Sequence, residues 1–161
     1  MNIEMIEKAK EFHGDLCPFL VLGLKMGDYA KEYIEPKDIK DIHVEVSVGP
    51  LKTPESCIID GIQFSSGCTT GKGNLIVKKK ETTGIDAKFE GNNREIIIKV
   101  KDLALGVIKH NLSDHHHTHD SHHHNDSHHH NDSHHDHGSV EDIARDIMAK
   151  NFDALFDCEK K

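Results

Sequence analysis

His13 and Cys17 stand four residues apart in "FHGDLCP", across a break that Gly14 imposes on the chain. A thiolate and a neutral imidazole are donors that zinc, nickel and ferrous iron all accept. Two donors do not complete a site, so others must come from elsewhere. The remaining cysteines are Cys57, Cys68 and Cys158, and no two of the four form a Cys-x-x-Cys pair. In a reducing compartment such scattered cysteines read as free thiols, metal ligands or nucleophiles rather than a disulfide framework. Cys57 falls early in a predicted helix and Cys68 just past its end. Both can face one pocket only if the loop between them and the next strand folds back.

The stretch "FSSGCTTGKGNL", Phe64 to Leu75, has the composition of a phosphate-wrapping loop. A P-loop, however, needs four residues between its first glycine and the Gly-Lys, and it runs from a strand into a helix. Here Gly67 is followed by only three residues before Gly71-Lys72, and the predicted order is helix, then strand. The nucleotide reading fails on both counts. What remains is a glycine-rich turn presenting Cys68, Thr69, Thr70 and Lys72. A lysine beside a cysteine favours the thiolate, which binds metal or attacks carbon. The plainer alternative is a connection in which Cys68 packs as a small hydrophobe.

From Ser113 to Ser139 the chain repeats "HHHNDS" imperfectly and carries thirteen of its sixteen histidines. These are His115, His116, His117, His119, His122, His123, His124, His128, His129, His130, His134, His135 and His137. With no apolar residue to bury, the segment is expected to be a disordered surface loop. Imidazoles at this density bind borderline divalent metals in many interchangeable ways, so binding should be labile, high in capacity and weakened by acid. The alternative is a repeat expansion tolerated in a loop.

The elements that must position these residues follow from periodicity. Ile3, Ile6, Ala9 and Phe12 fit an amphipathic helix, and a second runs from Pro18 to about Ile34 with Asp15 available as its cap. "DIHVEVSV" alternates as a strand with one buried face. Thr53-Pro54-Glu55 opens a third helix, which carries Ile58, Ile59 and Ile62 and stops at Gly67. Strands follow at "NLIVKK", "IDAKFE" and "REIIIKV", the last two joined at Gly91-Asn92-Asn93. "LALGVIKHN" starts another helix, and a final one from Val140 carries Ile143, Ala144, Ile147, Met148, Phe152, Leu155 and Phe156. Consecutive strands without strict alternation give an α+β class, with an antiparallel or mixed sheet of about four strands packed with helices. The expected organisation is a single core over 1–112, the histidine-rich loop over 113–139, and a C-terminal helix over 140–161 packing on the core.

Composition excludes several functions. With 28 acidic against 20 basic residues and only Lys78-Lys79-Lys80 as a basic cluster, no nucleic-acid partner is expected. The longest apolar run, Phe19–Leu24, is too short to span a bilayer, and the charged first dozen residues do not read as a secretory leader. A soluble, cytoplasmic protein is therefore expected, without a membrane partner.

"FHGDLCPFLVLGLKMG" followed by "CIIDGIQFSSGCTTGKGNL" resembles the FmdE family, the proteins associated with formylmethanofuran dehydrogenase. Over roughly residues 5 to 110, His13 and Cys17 match the first motif of that family. Cys57, Asp60, Gln63, Cys68, Thr69, Gly71 and Lys72 match the second. Asp15 stands where the family usually has a second histidine, and Phe19 replaces a glycine. The resemblance implies an α+β homodimer whose pocket is lined by His13, Cys17, Cys57 and Cys68. It further implies a divalent transition metal, zinc or nickel first and iron next, with a client metalloenzyme such as formylmethanofuran dehydrogenase. Asp60 would accept from a ligand and Lys72 would favour a thiolate. Metal binding for one-carbon metabolism, with the histidine loop buffering or delivering metal, is the leading expectation. The alternatives are a metal- or cysteine-dependent enzyme acting on a one-carbon or pterin-like substrate through Cys68, Lys72 and Asp60, and a metal store.

Overall fold

The computed structural model describes residues 2–116 and 139–161, with the side chains of 114–116 left aside. The expected loop lies almost wholly outside the described residues. Six α-helices and five strands occur among those described.

Helix α1, Ile3–His13, is capped by Asn2, whose side chain accepts from the Met5 N–H at 2.8 Å. It ends at Gly14, which takes the left-handed conformation at φ 105° and sends its N–H back to the Lys10 carbonyl. Only Ile6 and Ala9 of the expected stripe are buried, while Ile3 and Phe12 stay exposed. Helix α2, Pro18–Ile34, starts with proline at its first position, and its N-cap is Cys17 rather than the Asp15 that the sequence suggested. The cap must directly precede Pro18, and the Cys17 sulfur accepts from the Leu20 N–H at 3.3 Å. Phe19, Leu20, Leu22, Leu24 and Met26 on α2 have no exposed surface at all. Each such burial is worth about 2 kcal/mol.

Strand β1, Ile42–Gly49, leads to α3, Cys57–Ser66, and then to β2, Leu75–Lys79. The helix begins at Cys57 and not at Thr53–Glu55, because 53–56 form turns ahead of it. β1 and β2 are parallel, with Val46 beside Val77, so α3 is the crossover of a βαβ unit. β3, Gly84–Gly91, and β4, Arg94–Val100, form an antiparallel hairpin on the other side of β1. Asn92 and Asn93 both have positive φ, 50° and 58°, as a two-residue hairpin loop demands. α4, Asp102–His116, then passes the expected core boundary at 112, and α5, Val140–Ala149, opens with a Ser139–Asp142 capping box.

The C-terminal segment differs from the expected single helix. α5 stops at Lys150, α6 covers Phe152–Leu155, and β5, Phe156–Lys160, pairs antiparallel with β4. The four-residue spacing of Phe152 and Phe156 mimics a helix, but Phe152 instead stacks on Tyr29 of α2 and Phe156 lies tilted against Phe152. Their centroids lie 3.9 Å (Tyr29–Phe152) and 4.5 Å (Phe152–Phe156) apart. The sheet thus has five strands in the order β2-β1-β3-β4-β5, and it is mixed. This is an α+β fold. Val44, Val46, Val48, Phe89, Ile96 and Ile98 bury one sheet face, and α2 packs against β3 and β4. No helix among the described residues is long and apolar enough to cross a membrane.

Close contact between α2 and α3 sets up the functional end of the fold. A Cβ on Gly23 would stand 2.1 Å from the Ile58 carbonyl oxygen, and one on Gly61 would stand 2.2 Å from that of Leu20. Only glycine lets the two backbones come this near. One turn further along, the Ser65 hydroxyl donates to the Gly61 carbonyl at 2.7 Å, under Gly27. The helices run side by side in the same direction, so their N-termini, Cys17 and Cys57, emerge together.

Candidate metal centre

His13 arrives from the last turn of α1, Cys17 from the N-cap of α2 and Cys57 from the first position of α3. One donor atom from each lies within 4.8 Å of the others, and Cys17 Sγ is 3.7 Å from His13 Nε2. The Gly14 reversal brings His13 back over Cys17, and the glycine contact of α2 with α3 brings Cys57. Cys17 is buried and Cys57 half-buried, while the His13 side chain is 11% exposed.

Asp60, one turn into α3, accepts a hydrogen bond from His13 Nδ1 at 2.8 Å. A carboxylate has no proton to give at neutral pH, so Nδ1 carries the hydrogen and Nε2 is the atom turned toward the sulfurs. Gln63 Nε2 lies 3.5 Å from the other Asp60 oxygen.

The electrostatics separate the two thiols. A hydrogen bond from Cys17 pulls the Cys57 pKa down to about 6, against the cost of its partial burial and with help from nearby His13. The same contact, together with burial, pushes the Cys17 thiol up, although the Leu20 N–H opposes it. Burial works against the charged form of His13, but the Asp60 hydrogen bond and the neighbouring Cys57 outweigh it, so its pKa is raised. Two helix N-termini add positive potential at the sulfurs. Without metal, the cluster therefore holds a Cys57 thiolate beside a Cys17 thiol and a His13 that favours its proton. Two sulfurs and one correctly oriented imidazole form a donor set that can hold a zinc-, nickel- or iron-type ion.

A family model described as "FmdE, Molybdenum formylmethanofuran dehydrogenase operon" matches residues 12–157. The chain belongs to the FmdE family. The FmdE match takes in His13, Cys17, Cys57, Asp60 and Cys68 together. The chain is also 35% identical over 100 residues to a protein of Archaeoglobus fulgidus named "Probable S-adenosyl-L-methionine-binding protein". That alignment covers 55% of this FmdE chain and 27% of the length of the relative.

Cys68 of this FmdE chain does not join the cluster. It lies beyond the far end of α3, fully buried, with its thiol donating to the Ile42 carbonyl at 3.4 Å. Burial raises its pKa, and this outweighs the Ser66 hydrogen bond and the charges of Lys72 and Lys31. Lys72 does act in the expected direction on Cys68, toward the thiolate, but burial outweighs it. The Lys72 ammonium donates to the Gly67 carbonyl at 2.8 Å and that of Lys31 to the Ser65 carbonyl at 2.7 Å, neutralising the C-terminus of α3. The side chains of the thirteen tract histidines fall outside those described. The glycine seam escaped the sequence reading, although Gly23/Gly27 and Gly61/Ser65 share a four-residue spacing of small residues.

Proposed function

We propose that this FmdE-family protein binds a divalent transition metal, zinc or nickel before iron, through His13, Cys17 and Cys57. Its histidine tract gathers that metal and passes it on. The observation that carries this reading is the convergence of three donors from three helices, with Asp60 fixing the imidazole. The metal would supply a Lewis-acid or transferable-ion centre. The chain's own residues hold the thiolate, orient the nitrogen and release protons when the ion enters.

The anchoring of the tract supports the delivery half. Lys109 on α4, before the tract, pairs with nearly buried Glu55 at 2.8 Å, and Glu55 lies two residues ahead of Cys57. On the far side, Glu141 of α5 pairs at 2.8 Å with Lys10, three residues ahead of His13. Both flanks of the tract are thus tied to segments that carry ligands. A cytoplasmic homodimer serving a client such as formylmethanofuran dehydrogenase completes the reading; the family description, which names the operon of that enzyme, favours the choice of client alone. Replacing 117–138 by a Gly/Ser linker keeps both flanking helix ends and tests the division of labour. Most bound metal should be lost, while about one tight equivalent per chain stays. Loss of every equivalent would refute the core site.

A second reading is binding of a one-carbon carrier such as S-adenosylmethionine, favoured by the name of the Archaeoglobus relative. Calorimetric titration with that compound tests it, and an absence of heat at millimolar concentration would remove it.

A further inference from the structure

His13, Cys17 and Cys57 supply three donors, whereas a closed zinc-type site takes four. A further side chain, Asp15, approaches the imidazole from the turn between His13 and Cys17. Asp15 Oδ1 lies 3.5 Å from His13 Nε2, the ring nitrogen that also faces Cys17. Asp15 and Asp60 thus address opposite nitrogens of one imidazole. Nothing in the local fold requires this carboxylate. Cys17 caps α2, and the Asp15 side chain remains 70% exposed. It sits between two of the donors on the turn that Gly14 creates, exposed and so free to turn toward an ion that they hold.

We infer that Asp15 is the fourth donor of the centre, completing a set of two sulfurs, one nitrogen and one oxygen. This rests on the metal-binding reading above and specifies it. With the carboxylate in place the centre is closed to outside ligands, and the oxygen donor favours zinc or ferrous iron over a soft ion such as cuprous copper.

The test uses the full-length protein loaded with cobalt(II). Its thiolate-to-metal charge-transfer band reports only the cysteine-bound ion and is silent to metal on histidines alone. For the unaltered protein the expected result is a four-coordinate visible spectrum that added azide does not change. Asp15→Asn should keep the charge-transfer band, bind at least about tenfold more weakly and become sensitive to azide. Asp15→His should restore tight binding with shifted visible bands. If Asp15→Asn matches the unaltered protein in affinity and in indifference to azide, Asp15 is only an ion-pair partner of His13 and the inference falls. If the unaltered protein shows no charge-transfer band, the parent reading fails, and the inference with it.

Discussion

One proton on His13 decides which ring nitrogen can bind metal, and Asp60 holds that proton at Nδ1. Asp60→Asn leaves the shape but offers an amide that can present either donor or acceptor. Metal affinity should fall about 10–100-fold, measured by competition with a chelator of known affinity. Cys57 gives a second prediction at this scale. Its pKa is lowered to about 6, so in the metal-free protein the thiolate is present above that pH and lost as pH falls through it. Alkylation at Cys57, followed by mass spectrometry, should therefore rise through about pH 6 and level off by pH 7. Cys17 and Cys68, both raised, should stay slow. A midpoint for Cys57 near the ordinary thiol value of about 8.5 would contradict the cluster's electrostatics. His13 and Cys17 were legible in the sequence as a pair, because four residues across a glycine break bring donors together. The place of Cys68 was not legible. α3 has 10 residues and so separates Cys57 from Cys68 by about 15 Å, and the loop does not fold back.

The pairing of α2 with α3 does at the level of elements what Asp60 does for the ring. Gly61→Ala would drive a methyl into the Leu20 carbonyl at 2.2 Å, a backbone atom that cannot swing aside. The expected cost is about 2–3 kcal/mol, or roughly 5–10 °C in Tm, with a parallel loss of metal affinity as Cys57 moves from Cys17. Calorimetry and metal titration on the same sample check both. An unchanged affinity at lowered Tm would show that the seam stabilises the fold without positioning the site. Helices α1 to α5 and strands β1 to β4 were readable from period and turn residues, Asn92-Asn93 most directly. The seam was not, because glycine spacing signals close approach without naming the partner helix. The C-terminal strand was hidden by aromatic residues that satisfy a helical spacing and a stacked cluster equally well.

Over the whole molecule, three features sit at one end: the C-terminus of α1, the N-termini of α2 and α3, and the ion pairs that tie down both flanks of the histidine tract. The α+β class was legible from the run of strands, and membership of the FmdE family from two motif blocks. Which cysteines meet was not legible, because that depends on how two helices pack and not on any motif. Cysteine substitution in the full-length, cobalt(II)-loaded protein tests that pairing most directly. The account predicts that Cys57→Ser and Cys17→Ser each diminish the thiolate-to-metal charge-transfer band, whereas Cys68→Ser leaves it intact. A band that survives Cys57→Ser and disappears in Cys68→Ser would contradict it.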